Sequence, residues 1–179
     1  TAPAHISNLL KGNDIEGIFG LVRENPLVAI GAYCLMPNHF HLLLTPLVEG
    51  GVSTFLLKLQ TGYSMYFNKK YERSGALFQG KFKAEHANTD NYLKYLYAYI
   101  HLNPAKLKDS KWQERMSAKF FAPLEQFVRT YPYSSYEEYE SGEHVITNPG
   151  PFPKYFDTSE DFKKLVDFWL TVKNIKGGP

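Results

Sequence analysis

The sequence predicts an α+β fold, with helices packed on one face of a small, mostly antiparallel sheet. Two observations carry that expectation. Periodic segments follow one another as helix, strand, strand, helix, strand, helix between Ile15 and Leu102. The 179 residues are 44% hydrophobic and 21% charged, an ordinary globular balance that supports one full core plus an appendage.

Asn13 or Asp14 can cap a first helix, whose apolar residues Ile15, Ile18, Phe19 and Val22 recur at helical spacing before Pro26 stops it. Leu27 to Met36 is rich in Val, Ile, Tyr and Leu and reads as a buried strand. Pro37-Asn38 breaks it, and His39 to Thr45 reads as the second strand. After Gly50-Gly51, Ser53 caps a longer helix carrying Phe55, Leu56, Leu59, Tyr63, Tyr66 and Phe67, which frays near Tyr71 and ends at Arg73-Ser74-Gly75. Lys81 to Ala87 alternates, Phe82, Ala84 and His86 against Lys81, Lys83 and Glu85, which predicts a half-exposed third strand. Thr89 caps a helix that runs to about Leu102 and stops at Asn103-Pro104.

Beyond Lys106 the prolines at 123, 132, 149, 151 and 153 cut the chain into short pieces. Ser134 with Glu137 reads as a capping box for a short helix. Thr158 with Asp161 reads as one for a final helix bearing Phe162, Leu165, Val166, Trp169 and Leu170. The expected organisation is a core over residues 1–107 and a mostly helical C-terminal extension, 108–179, packed on it.

Composition excludes several classes. Apolar runs such as Val28 to Ile30 and Leu42 to Leu44 fall far short of the roughly 20 residues a membrane helix needs, and no secretory leader is evident. One cysteine, Cys34, can form neither an internal disulfide nor a thiolate cluster, so the cytoplasm is the expected location. Aromatic residues make up 16%, more than a core of this size normally requires, which leaves rings for surface work.

The net charge of +2 hides an uneven distribution. Lys58 to Lys119 holds twelve Lys or Arg against five Asp or Glu, whereas Glu137 to Asp161 holds seven acids against Lys154 alone. The basic middle fits either solvated helix faces or a groove for a polyanion.

The strongest local signal for chemistry is His39-Phe40-His41. Side chains two apart on a strand share a face about 6 to 7 Å apart along it, so both imidazoles can converge on one ion, with Phe40, Leu42 and Leu44 anchored in the core opposite. Two incidental histidines would give the same pattern, and a third partner is needed to choose. On the helix after Thr89, Tyr92, Tyr95, Tyr99 and Asn103 form one stripe. Tyr92, Tyr95 and Tyr97 read as packing residues. Tyr99 differs, because an amide one turn on, at Asn103, can join the two imidazoles on a divalent ion and leave positions open for phosphate oxygens.

Together these residues resemble the single-tyrosine, His-hydrophobic-His transposases, especially the REP-associated tyrosine transposase branch. The motifs are Tyr33-Cys34-Leu35-Met36-Pro37-Asn38-His39-Phe40-His41-Leu42-Leu43, Gly75-Ala76-Leu77-Phe78-Gln79-Gly80-Lys81-Phe82-Lys83, Tyr99-Ile100-His101-Leu102-Asn103-Pro104 and a Tyr133-Ser134-Ser135-Tyr136 echo. The resemblance implies a ferredoxin-like antiparallel sheet whose central strand carries the histidines. It implies an enzyme that cuts and rejoins single-stranded DNA at hairpin-bearing, REP-like elements, with Tyr99 as nucleophile and His39, His41 and Asn103 holding magnesium or manganese. It also allows a homodimer in which Tyr99 acts in cis or in trans. Two features depart from the family pattern: residues 1 to 8 offer little for the strand that usually precedes the first helix, and Asn103 stands where the insertion-sequence branch has glutamine.

The implied reaction is in-line attack by Tyr99, giving a 5′-phosphotyrosine and a free 3′-OH. That link conserves the phosphodiester energy, so rejoining needs no ATP. His101 lies two residues from Tyr99 and points to another side of the helix, which leaves the general base unassigned. Lys69, Lys70, Arg73, Lys81 and Lys83 are the candidate DNA contacts, with Phe78 or Tyr71 as stacking partners for unpaired bases. Two other readings stand beside this one: a non-catalytic nucleic-acid-binding protein on the same scaffold, and a metal-dependent enzyme acting on a small molecule.

Overall fold

A computed structural model of the chain describes residues 17, 19–21, 24–114 and 118–172. Asn13, Asp14, Ile15, Ile18 and Val22, on which the first expected helix rests, lie outside them. The described elements are β1 (Val28–Leu35), β2 (Phe40–Pro46), α1 (Gly51–Lys70), α2 (Asp90–Leu102), α3 (Ala105–Lys108), a 3₁₀ turn (Trp112–Glu114), α4 (Ala118–Arg129), α5 (Tyr136–Ser141) and α6 (Ser159–Thr171). The fold is α+β.

β1 and β2 pair antiparallel, with Tyr33 opposite Leu42, Cys34 opposite His41 and Leu35 opposite Phe40; the register shifts between Ile30 and Ala32. Gly31 sits at that irregularity, where a Cβ would lie 2.8 Å from Phe152 Cζ. Its carbonyl accepts the Tyr139 hydroxyl.

The expected strand Lys81–Ala87 does not form. Residues 82–88 carry no regular structure. Alternation alone cannot make a strand, because a ladder needs a partner edge. The outer edge of β1 is already taken: Leu35 N–H donates to Tyr133 O (2.7 Å), Ser135 N–H to Tyr33 O (3.0 Å) and Asn148 N–H to Ile30 O (2.8 Å).

α1 begins earlier than Ser53 suggests. Gly50 is its N-cap at φ 67°, and no side chain caps the helix. Gly51 passes so close to the Leu27 carbonyl that a Cβ would lie 2.2 Å from that oxygen. Thr89 does cap α2, accepting from Tyr92 N–H at 3.2 Å. Thr158 and Asp161 do form a capping box on α6. Ser134 does not cap α5. The N-cap is Ser135, with no side-chain cap bond; Ser134, one residue earlier, bridges Cys34, donates to Tyr131 O and accepts only the Tyr136 N–H, at 3.4 Å, so the expected box with Glu137 does not form.

One buried cluster joins the sheet to the later helices: Ala29, Ala32, Cys34 and Leu43 meet Tyr97, Ile100, Leu102, Val128, Tyr136, Phe162, Val166 and Leu170. Phe162 is its aromatic hub, stacked on Tyr139 at 4.8 Å and edge-on to His101 at 5.0 Å and Tyr136 at 5.1 Å. Much of the aromatic surplus is used here. Another part is exposed on and after α1, at Tyr63, Tyr66 and Tyr71.

Candidate active site

The face of β2 that carries His41 is the face packed on the core, and His39 stands exposed just ahead of the strand. Cross-strand partners share a face, and the Ala32–Leu43 and Cys34–His41 pairs place two fully buried β1 residues beside it. The expectation that Phe40, Leu42 and Leu44 would anchor in the core is therefore reversed: Leu43 is buried, while those three are half-buried. The reversal matters for chemistry, because α2 packs on both strands and its Tyr99 meets the histidine side.

The His39 and His41 rings lie 4.9 Å apart, edge to face. Tyr99 meets His41 edge-on, with ring centroids 5.6 Å apart. His39 Nδ1 donates to Asn38 Oδ1 at 2.7 Å, which leaves its Nε2 with the lone pair. His41 Nε2 is buried and has no hydrogen-bond partner in the structure. Burial, His39 and Lys106, in that order, hold the His41 imidazole down to about pKa 4, so it is neutral and able to ligate at physiological pH.

Asn103 is buried beneath Tyr99. Its Nδ2 donates to Tyr99 O at 2.9 Å, and its Oδ1 accepts from Lys106 Nζ at 3.0 Å. Lys106 also sits over the Tyr99 ring, 5.3 Å from its centre, and partial burial lowers the pKa of its ammonium. Tyr99 is thus the common neighbour of His41 and Lys106.

The other tyrosines of α2 do packing work. Tyr95 is edge-on to Trp169 at 4.7 Å, and Tyr97 packs against Tyr139, Phe152, Tyr155 and Phe156. Burial pushes both hydroxyls up to about 12, which makes them poor nucleophiles.

His101 is fully buried. Its Nδ1 donates to Tyr97 O at 2.7 Å, so its Nε2 accepts from Ser135 Oγ at 2.8 Å. Ser135 Oγ in turn accepts Tyr33 N–H at 2.9 Å. His101 therefore ties α2 to β1 and α5, and burial lowers its pKa to about 4.

Among the described residues, no three His, Cys, Asp or Glu side chains gather as a metal group. A divalent cation here would rely on the two imidazoles and the Asn103 amide oxygen. The orphaned His41 nitrogen and the paired rings fit such a role.

The candidate DNA contacts lie along the far end of α1 and the segment after it. Lys69 and Lys70 close the last turn of α1. Lys70 Nζ is 5.6 Å from the centres of the Tyr66 and Tyr71 rings, and the Arg73 guanidinium is 5.7 Å from that of Phe67. Phe78 is half-buried between Phe40 (5.9 Å) and Tyr63 (6.2 Å), joining this region to the start of β2. Lys81 and Lys83 are exposed on the irregular segment.

Sequence reasoning passed over Lys106 and Ser135. Lys106 lies seven residues after Tyr99 and three after Asn103, a helical spacing that put it on the same stripe. Ser135 stands in the Tyr133-Ser134-Ser135-Tyr136 echo, but nothing local points to its partners, Tyr33 at a separation of 102 residues and His101 at 34.

A family model described as "Transposase IS200 like" matches residues 8–103. The chain belongs to the IS200-like transposase family. Comparison with curated proteins finds no significant match, and comparison with solved structures finds none either. Membership implies a DNA-cleaving enzyme of a class that generally uses a divalent metal. In this transposase the matched stretch ends at Asn103 and spans both histidines and Tyr99. Among the described residues no helix is long and apolar enough to cross a membrane.

Proposed function

We propose that this transposase, as a member of the REP-associated branch, nicks and rejoins single-stranded DNA beside hairpins through a covalent Tyr99 link. The observation that carries the reading is the placement of Tyr99 against His41, whose buried Nε2 has no other partner. His39, His41 and Asn103 would hold magnesium or manganese. The chemistry such a cation supplies is polarisation of the scissile phosphodiester and neutralisation of charge on its oxygens.

The chain's own residues do the rest. α2 holds the Tyr99 ring against His41, and Asn103 Nδ2 braces the Tyr99 carbonyl. The phenol oxygen bonds to phosphorus as the bond to the 3′ oxygen breaks. The phenol proton leaves to solvent, and the leaving oxygen ends as a 3′-OH. Attack by a 3′-OH on the phosphotyrosine reverses the step and restores the phenol. Lys69, Lys70, Arg73, Lys81 and Lys83 would neutralise backbone phosphates, and Phe78 would offer a stacking face to an unpaired base.

The test is incubation of the protein with labelled hairpin-bearing single strands and manganese, followed by denaturing electrophoresis. The expected result is a denaturant-resistant adduct that is absent in Tyr99→Phe. Salt-sensitive binding with no adduct would favour a non-catalytic DNA-binding protein.

A further inference from the structure

Asn103 has a fixed orientation, because Nδ2 is committed to Tyr99 O at 2.9 Å. Its Oδ1 therefore points the other way, and what meets it is the Lys106 ammonium at 3.0 Å. α3 follows α2 directly across Pro104, so Lys106 stands one turn beyond Asn103 and remains over the Tyr99 ring. The oxygen that the ligand reading assigns to a divalent ion is thus held by an ammonium. An ammonium and a divalent cation repel, and a four-carbon stem lets the ammonium swing without disturbing the helix.

We propose that Lys106 is a placeholder for the cation: its ammonium holds the Asn103 oxygen until a divalent ion binds, then swings aside to meet a DNA phosphate beside Tyr99. This rests on the reading of His39, His41 and Asn103 as the ligand set. It makes Lys106 a positioning residue that couples cation binding to DNA binding. Without DNA, Lys106 opposes the cation. With a phosphate to receive the ammonium, that opposition is relieved, so each ligand favours the other.

The test is titration of the full chain with manganese chloride, following free ion by electron paramagnetic resonance, with and without a short single-stranded oligonucleotide. Without DNA, Lys106→Met should bind manganese about 5- to 10-fold tighter than wild type, and Lys106→Gln should do the same while keeping a polar stem. With DNA, wild type should tighten several-fold and both variants much less. Unchanged or weaker manganese binding in Lys106→Gln would overturn the placeholder role. His41→Ala separates the two readings: it should lose manganese affinity at least 10-fold, and undiminished binding would remove the ligand set and this inference with it. If His41→Ala loses the ion while the Lys106 variants match wild type, only the placeholder role falls.

Discussion

The Tyr99 ring meets the His41 imidazole edge-on, with 5.6 Å between centroids and 85° between planes. One residue comes from α2 and the other from β2, and they meet because the histidine-bearing face of β2 is the one turned to the core. Any distortion of that packing separates the phenol from the imidazoles.

Tyr99→Phe removes one oxygen and keeps the ring contacts with His41 and Tyr95. Covalent attachment to DNA should vanish, while thermal unfolding stays within about 2 °C of wild type, as expected for a change that empties no core space. A persistent adduct in denaturing gels would show that another nucleophile acts.

His101 stays neutral in the folded chain down to about pH 4, whereas an unfolded histidine protonates near 6.5. Between those values the unfolded state binds more protons, so stability falls as the solution is acidified. The full effect of this group is about 3 kcal/mol, reached below pH 4. Urea unfolding from pH 7 to pH 4 should show the decline, and His101→Gln should flatten part of it. An identical slope in the variant would assign the decline to other groups.

Ser135→Ala leaves the buried Nε2 of His101 and the N–H of Tyr33 without their oxygen. Unsatisfied buried polar atoms cost about 1 to 3 kcal/mol. Denaturant titration should show that loss with an unchanged slope, and a variant as stable as wild type would mean that water replaces the hydroxyl.

Phe162 is fully buried among Tyr136, Tyr139, Phe156 and His101. Phe162→Ala should cost about 3 to 5 kcal/mol by lost burial and the cavity left behind. A loss under about 1 kcal/mol in calorimetry would show that the aromatic cluster collapses to fill the gap.

Replacing Lys81 and Lys83 together by Gln should weaken single-stranded DNA binding for all sequences alike. If each meets one phosphate, the slope of log affinity against log salt should fall by roughly 1.4 in magnitude. An unchanged slope would place the DNA elsewhere.

Much of this was legible from local pattern. The strands around Pro37-Asn38, the Thr89 cap and the Thr158–Asp161 box depend on neighbours within a few residues, and each stands close to where sequence puts it. The histidine pair was legible because strand alternation puts residues 39 and 41 on one side. Which side faces the core was not, since alternation fixes shared faces and only the docking of α2 decides which is buried. The alternating segment 81–87 misled for a related reason: alternation describes which side chains share a face and does not supply the ladder partner a strand needs, and residues 82–88 carry no regular structure. The role of Ser135 and the grip of Lys106 on Asn103 emerge only in three dimensions.

The closure of β1 by residues so far downstream has a consequence for synthesis. When β1 and β2 emerge from the ribosome, the backbone groups that later bond Tyr133 and Ser135 have about a hundred residues still to wait. At 5 to 20 residues per second this leaves an open strand edge for roughly 5 to 20 s, a template onto which a neighbouring nascent chain can pair. Nascent chains arrested before Tyr133 should therefore be more prone to aggregate than chains released after Ser135.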